Sequence, residues 1–581
     1  MYRMAPAPAR VLCFLIPALI AACGGGSGSS SGGEAPATAT VSASTSTTDT
    51  TSAPADQPTT QRDAVRLADQ ATFGPTEALI AEIRSAGAAK WIGQQFDAPA
   101  SRYTRGGTSA FHQYTGSGNF CDNRDANCWR DWASNQPLLW DFYRNAVGNP
   151  DQLRQRVAFA LGQILVVSNR EVDGTYGLRN YQNALLDGAF GNYREVLKKV
   201  VLSPVMGDFL NNANNDKAAP NENFARELLQ LFSLGTCLLN ADGTPQGGSC
   251  RPTYDNQRVR AYAYALTGWT YPAGGATAWG CWPEGTHCRY YEGDMVPAAR
   301  YHDTQERTLL GGAALPAGHT APQALEAVLD SLMQHPNIAP FIGRQLIQHL
   351  VTANPSPAYV QRVATAFTSG RHLGIGSGQR GDLKATVAAV LLDAEARGET
   401  PGATAGRLRE PVLLFTGVLR ALRGRTDGDA LGWWWGEQMR QHVFRAPSVF
   451  SYYPLDYPLP RTALLGPGFG IHNAGSALAR LNYVNSVVNW GGVAPSASIP
   501  DALGTRVDLS GFEADAADPA KLVDRFSLLA LGAPLPSAAR TAVINATAAF
   551  TPSSSGADYL KYRTRTAAYL VFAAPQYHVI R

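Results

Sequence analysis

The sequence predicts a mostly α fold: a large multi-helix globular domain with long irregular, disulfide-pinned insertions. Three observations carry this. Apolar residues recur at helical spacing along much of the chain, and alternating period-two runs are scarce. Six cysteines also fall as three close pairs inside stretches rich in Gly, Asn, Asp or Pro.

The helical segments follow in chain order. Segment 151–168 opens on Asp151, an acidic N-cap candidate, and carries Leu153, Val157, Leu161, Ile164 and Leu165 on one face. Between Pro220 and Gly235 the chain reads as a helix with proline in its first turn and glycine at its stop. Its apolar face is Phe224, Leu228, Leu231 and Phe232, while Glu222, Arg226, Gln230 and Ser233 lie opposite, with Glu222 and Arg226 spaced as an ion pair. A further helix is expected within 335–350. Segment 356–369 begins Ser356-Pro357, an N-cap followed by proline at the first helical position. Asp382 caps the run containing Leu383, Val387, Val390 and Leu391. In segment 407–421, Pro411 marks the true start. Insertions near 100–130, 237–305 and 425–475 are expected to be irregular.

Two side chains sit awkwardly on these wheels. Glu227 falls between Leu231 and Leu234 at the edge of the buried face, where a carboxylate must be paired, hydrogen-bonded or protonated. Arg156, Arg344 and Arg409 are the candidate partners. His349 projects between Ile338 and Ile342 inside an apolar stripe, with Arg344 off it. One reading is a core histidine beside a buried Glu–Arg brace. The other makes Glu227, Arg226 and His349 a converging acid–base group, the candidate catalytic set. Glu222, His335, Asn337, Arg344, Arg409 and Trp434 are the candidate binding residues. Trp434 belongs to Trp433-Trp434-Trp435, which cannot share one helical face, so at least one ring is exposed or in a pocket. His302-Asp303 reads as a loop cap rather than a metal or base site.

The cysteines indicate compartment rather than catalysis. Nearest-neighbour pairing gives Cys121–Cys128, Cys237–Cys250 and Cys281–Cys288, three short loops suited to an oxidising environment. Intervals of six and twelve residues do not match zinc-site spacing, so no metal is assigned, and the sequence gives no sign of a cofactor. The formal net charge of +3 gives no field that points to nucleic acid.

The chain's start fits an exported protein. Arg3 and Arg10 precede an apolar run from Val11 to Ile20, and Ile20-Ala21-Ala22-Cys23 follows. That ending resembles the bacterial lipobox, which implies lipidation of Cys23 after removal of a signal peptide over 1–22. Residues 23–61 are the lipid anchor and a tether rich in Gly, Ser, Thr, Ala and Pro, with a mean reach on the order of 35 Å. Gly24 stands where an Asp often marks inner-membrane retention. The expectation is therefore a lipid-anchored protein of the cell envelope, at the outer membrane of a Gram-negative bacterium. The membrane itself is a partner through the lipid on Cys23.

The domain over 62–581 resembles a large family of exported bacterial proteins known as a domain of unknown function, number eighteen hundred. The resemblance rests on Arg66 to Thr76, Leu153 to Leu161, Ala189 to Arg194, the Glu222-to-Gly235 helix and His335-Pro336-Asn337. Arg409-Glu410-Pro411, Pro447-Ser448-Val449-Phe450 and Ala573 to Tyr577 complete it. Asn221 and Phe224 stand where the family often has Asp and Tyr. The resemblance implies no activity. It does imply a neighbourhood with exported proteins resembling the alkaline-phosphatase and sulfatase superfamily, hence one possible partner. Two functions stay open: a scaffold or binding partner for another exported protein, or a hydrolase or lyase acting on envelope or extracellular polymers through a Glu/Arg/His pocket.

Overall fold

The computed structural model describes residues 59–277, 281, 287–400 and 402–581. Cys23 and nearly all of the expected tether lie outside the described residues. The folded chain is under way by Thr60, whose hydroxyl accepts from Asp63 N at 3.1 Å and caps the helix Gln61–Ala71.

Helices dominate. Strand structure among the described residues amounts to two-residue antiparallel pairs. One of these joins Arg407–Leu408 to Val579–Ile580, tying the 407–411 segment to the far end of the chain. Local chemistry sets most helix starts. Ser356 caps Pro357–Ser369 by accepting from Tyr359 N, and Asp382 caps Leu383–Leu392 by accepting from Ala385 N. Pro411 opens Pro411–Ala421. Asp151 stands at the N-cap of Gln152–Ile164, yet its carboxylate turns to Ser101 N at 2.8 Å and Gln155 Nε2 at 2.9 Å.

Two expectations need correction. The helix within 220–235 is shorter than its sequence pattern, spanning Asn223–Gln230. Asn215 clamps the stretch before it: its Oδ1 accepts from Asn221 N at 2.7 Å and its Nδ2 donates to Asn221 O at 3.1 Å. That clamp holds the chain as a turn past Pro220. The 237–305 insertion also contains a regular helix, Asn256–Ala265, capped by Asp255 and burying Val259, Tyr262 and Ala263.

Buried residues from Ala64 to Ile580 form one large core. A satellite of Phe111, Phe120, Cys128 and Ala133 lies under the first disulfide. The three cysteine pairs are joined as read from spacing, with Cα–Cα distances of 5.6, 4.9 and 3.7 Å for Cys121–Cys128, Cys237–Cys250 and Cys281–Cys288. No described helix is long and apolar enough to cross a membrane.

Candidate functional site

The helix Ile338–Leu350 is the spine of the site. Residues 341, 344, 345 and 348 fall on one face at i, i+3, i+4 and i+7 spacing, and Phe341, Arg344, Gln345 and Gln348 all line an open cleft of about 490 Å³. Asn337 fixes this helix against the turn that follows Asn223–Gln230. Its Nδ2 donates to Leu234 O at 3.1 Å and Cys237 O at 2.7 Å, and its Oδ1 accepts from Leu239 N at 3.0 Å. Gly235 sits in that turn at φ +74, where an added Cβ would come within 2.7 Å of the Phe341 ring. The Cys237–Cys250 hairpin forms one rim and segment 449–456 the other. Gln348 Nε2 ties the second rim down by donating to Leu455 O at 3.2 Å.

The lining mixes apolar walls with unsatisfied polar groups. Gln163 is 6% exposed, and neither its Nε2 nor its Oε1 has a hydrogen-bond partner. Gln345 Nε2 is likewise buried and unpartnered. Such groups cost free energy unless something satisfies them. Arg344 has no hydrogen bond and no ion pair within 4 Å among the described residues. Burial lowers its pKa, against the more distant attraction of Asp456. Phe450 stands at the rim, 54% exposed.

His349 lies at the base of the cleft and is buried. Burial drives its pKa down to about 3, reinforced by Arg156 and Arg407 and opposed by Glu410, so the ring is neutral. Behind it is a closed polar network. Glu410 accepts from Gln441 Nε2 at 2.6 Å and Tyr453 OH at 2.8 Å, with Arg407 at 3.5 Å and Arg156 at 3.9 Å. Arg156 Nη2 donates to His349 O at 2.6 Å.

The other candidates lie elsewhere. Glu227 is 7% exposed with Oε2 unpartnered, and burial raises its pKa against the pull of Arg226. None of its three expected arginine partners pairs with it: Arg156 serves Glu410, Arg409 serves Asp69, and Arg344 faces the cleft. Arg226 pairs with Glu222 at 3.1 Å, and Arg260 approaches Glu222 at 3.6 Å. Neither Glu227 nor Arg226 lines the cleft, so the structure does not bring them together with His349. His335 is half-buried, and its Nδ1 accepts from Asn337 N at 3.2 Å. Arg409 is buried in a two-pronged pair with Asp69 at 2.7 and 2.9 Å, its Nε donating to Tyr577 O. Trp434 is 62% exposed, and its neighbour Trp435 is buried. The dipeptide His302-Asp303 is buried, with Asp303 held by Arg307 at 2.8 Å.

Sequence reasoning located His349 and Arg344 by their places on the wheel, and Asn337 through the His335-Pro336-Asn337 motif. It missed Gln163, Gln345 and Phe450. A glutamine at a polar helix position gives no sign of whether its amide will be satisfied, and the 447–450 segment lay in an insertion without periodicity. Among the described residues the cleft's lining offers apolar contact, amide donors and acceptors and one unpaired guanidinium, with Glu227, Arg226 and His349 not assembled in it. Two stretches already noted for a family resemblance line the cleft, 222–235 through Gln230, Leu231, Leu234 and Gly235 and 447–450 through Val449 and Phe450, and a third, His335-Pro336-Asn337, is bonded to the first through Asn337. No curated protein and no solved structure matches the chain. The chain belongs to the family described as Protein of unknown function (DUF1800), which it matches over residues 66–579.

Proposed function

We propose that this is a lipid-anchored protein of the cell envelope, held at the outer membrane through Cys23, that binds another exported protein in the cleft between residues 230–245, 341–349 and 449–456. A protein resembling the alkaline-phosphatase and sulfatase superfamily is the first partner to test. The observation that carries the reading is Gln163, whose buried amide has both donor and acceptor unused beside the cleft. A peptide group presents the complementary carbonyl and N–H, and binding it would remove the cost of leaving that amide bare. The hydrolase or lyase alternative relied on Glu227, Arg226 and His349 sharing a pocket, and this arrangement gives it no support.

A photo-crosslinking amino acid in place of Phe450 tests the proposal in cells. Adducts to an exported protein should form there and not from the same group placed at Trp490, which is also exposed. Gln163→Leu should reduce them several-fold, and Cys23→Ser should move both protein and adducts out of the membrane fraction. Equal adducts from Trp490, or indifference to Gln163→Leu, would count against the cleft.

A further inference from the structure

Arg344 is the unusual charge of this cleft. A guanidinium carries five donors in a fixed fork, and one that is partly buried normally has an acid or carbonyl oxygens to hold. Arg344 holds none among the described residues, and Asp456, exposed at the rim, stands beyond ion-pair distance. The wall behind adds positive charge. Arg156 and Arg407 share Glu410, and on each of these arginines two buried guanidinium nitrogens remain unpartnered. That excess charge is buried and therefore weakly screened, and neutral His349 neither adds to it nor offsets it.

We infer that the cleft captures the free C-terminal carboxylate of an extended peptide, with Arg344 holding the carboxylate and Gln163 and Gln345 meeting the peptide groups behind it; the inference rests on the cleft being a docking site. The match is one of charge and shape. One guanidinium fits one singly charged, two-oxygen acceptor through paired N–H···O bonds. Unpartnered amide groups suit a backbone that offers N–H and C=O in turn. Apolar walls at Leu231, Leu234 and Phe341 suit the side chains of a peptide rather than the hydroxyl-covered faces of an acidic sugar.

The test uses the lipid-free exported chain, immobilised, and two pools of fluorescent octapeptides randomised at every position. One pool ends in a free carboxylate and the other in an amide. The carboxylate pool should be retained at least tenfold more than the amidated pool. Arg344→Gln should erase that preference without lowering the melting temperature, and Arg344→Lys should keep part of it. Equal retention of the two pools, both lost in Phe450→Ser, would overturn the carboxylate inference and leave the docking site standing. Retention of neither pool above an unrelated immobilised protein would overturn the docking site as well. An unchanged preference in Arg344→Gln, or an oligogalacturonate that displaces the carboxylate pool more strongly than the pool displaces itself, would also overturn the inference.

Discussion

Glu227 illustrates how much a single missing partner changes. On the helix wheel it had to be paired, hydrogen-bonded or protonated, and with an arginine partner Glu227→Gln would break a buried pair and cost a few kcal/mol. Without one, the sign reverses. Burial raises its folded-state pKa above the ordinary 4.5. A group with a raised folded pKa adds stability below its unfolded value and loses it as pH rises through the folded value. At pH 7, above the ordinary carboxylate range, burying this carboxyl is therefore a burden that the neutral amide lifts. Glu227→Gln should be more stable at pH 7 by on the order of 1 kcal/mol. Urea melts across pH should show the difference closing as pH falls through the raised carboxyl pKa and on below the ordinary carboxylate range. A Gln variant less stable at pH 7 would mean that Glu227 has a partner after all. His349 works in the opposite sense: its pKa is lowered to about 3, so its contribution is present above the unfolded value and is lost as pH falls.

At the level of elements, the cleft depends on one asparagine. Asn337 joins the start of Ile338–Leu350 to Leu234, Cys237 and Leu239, and it is fully buried. Asn337→Ala leaves two carbonyls and an N–H without those bonds, which should cost about 2–3 kcal/mol. Because the lost bonds all end on residues 234–239, hydrogen exchange should quicken there first, before the rest of the core responds. Uniform quickening across the chain would show that Asn337 braces the whole fold instead. The same region shows what a sequence can disclose. Ser356, Asp382 and Pro411 were readable because caps and prolines act on their own neighbours in the chain. The late start of Asn223–Gln230 was not, because it is imposed by the Asn215 side chain and not by the helix's own residues. For the site, periodicity revealed the anomalous His349 and Arg344. That Gln163 and Gln345 have amide atoms without partners depends on what other elements supply, which no local pattern records.

Across the whole molecule, Arg409 joins three distant parts of the chain. It pairs with Asp69 in the first described helix, donates to Tyr577 O near the far end, and stacks over the Tyr577 ring at 4.2 Å. Arg480 extends this junction by donating to Arg409 O at 2.8 Å. Burial disfavours the charged guanidinium of Arg409, but the attraction of Asp69 and Tyr577 outweighs it and raises the arginine's pKa. Replacing one partner should leave a lone buried charge, so Asp69→Leu alone should cost about 3–5 kcal/mol. Arg409→Leu alone should cost a similar amount, since it strands both Asp69 and the Tyr577 carbonyl. The double replacement removes both charges and fills the space with apolar atoms, so its cost should fall well below the sum of the singles. Urea unfolding of the four variants gives the coupling directly, and because the pair links sequence-distant parts of one core, the loss should appear as one cooperative transition. If the double variant is as unstable as the two singles added together, the pair does not couple. The junction would then be held by the Tyr577 carbonyl, the ring stack and the 407–408 strand pair rather than by opposite charge.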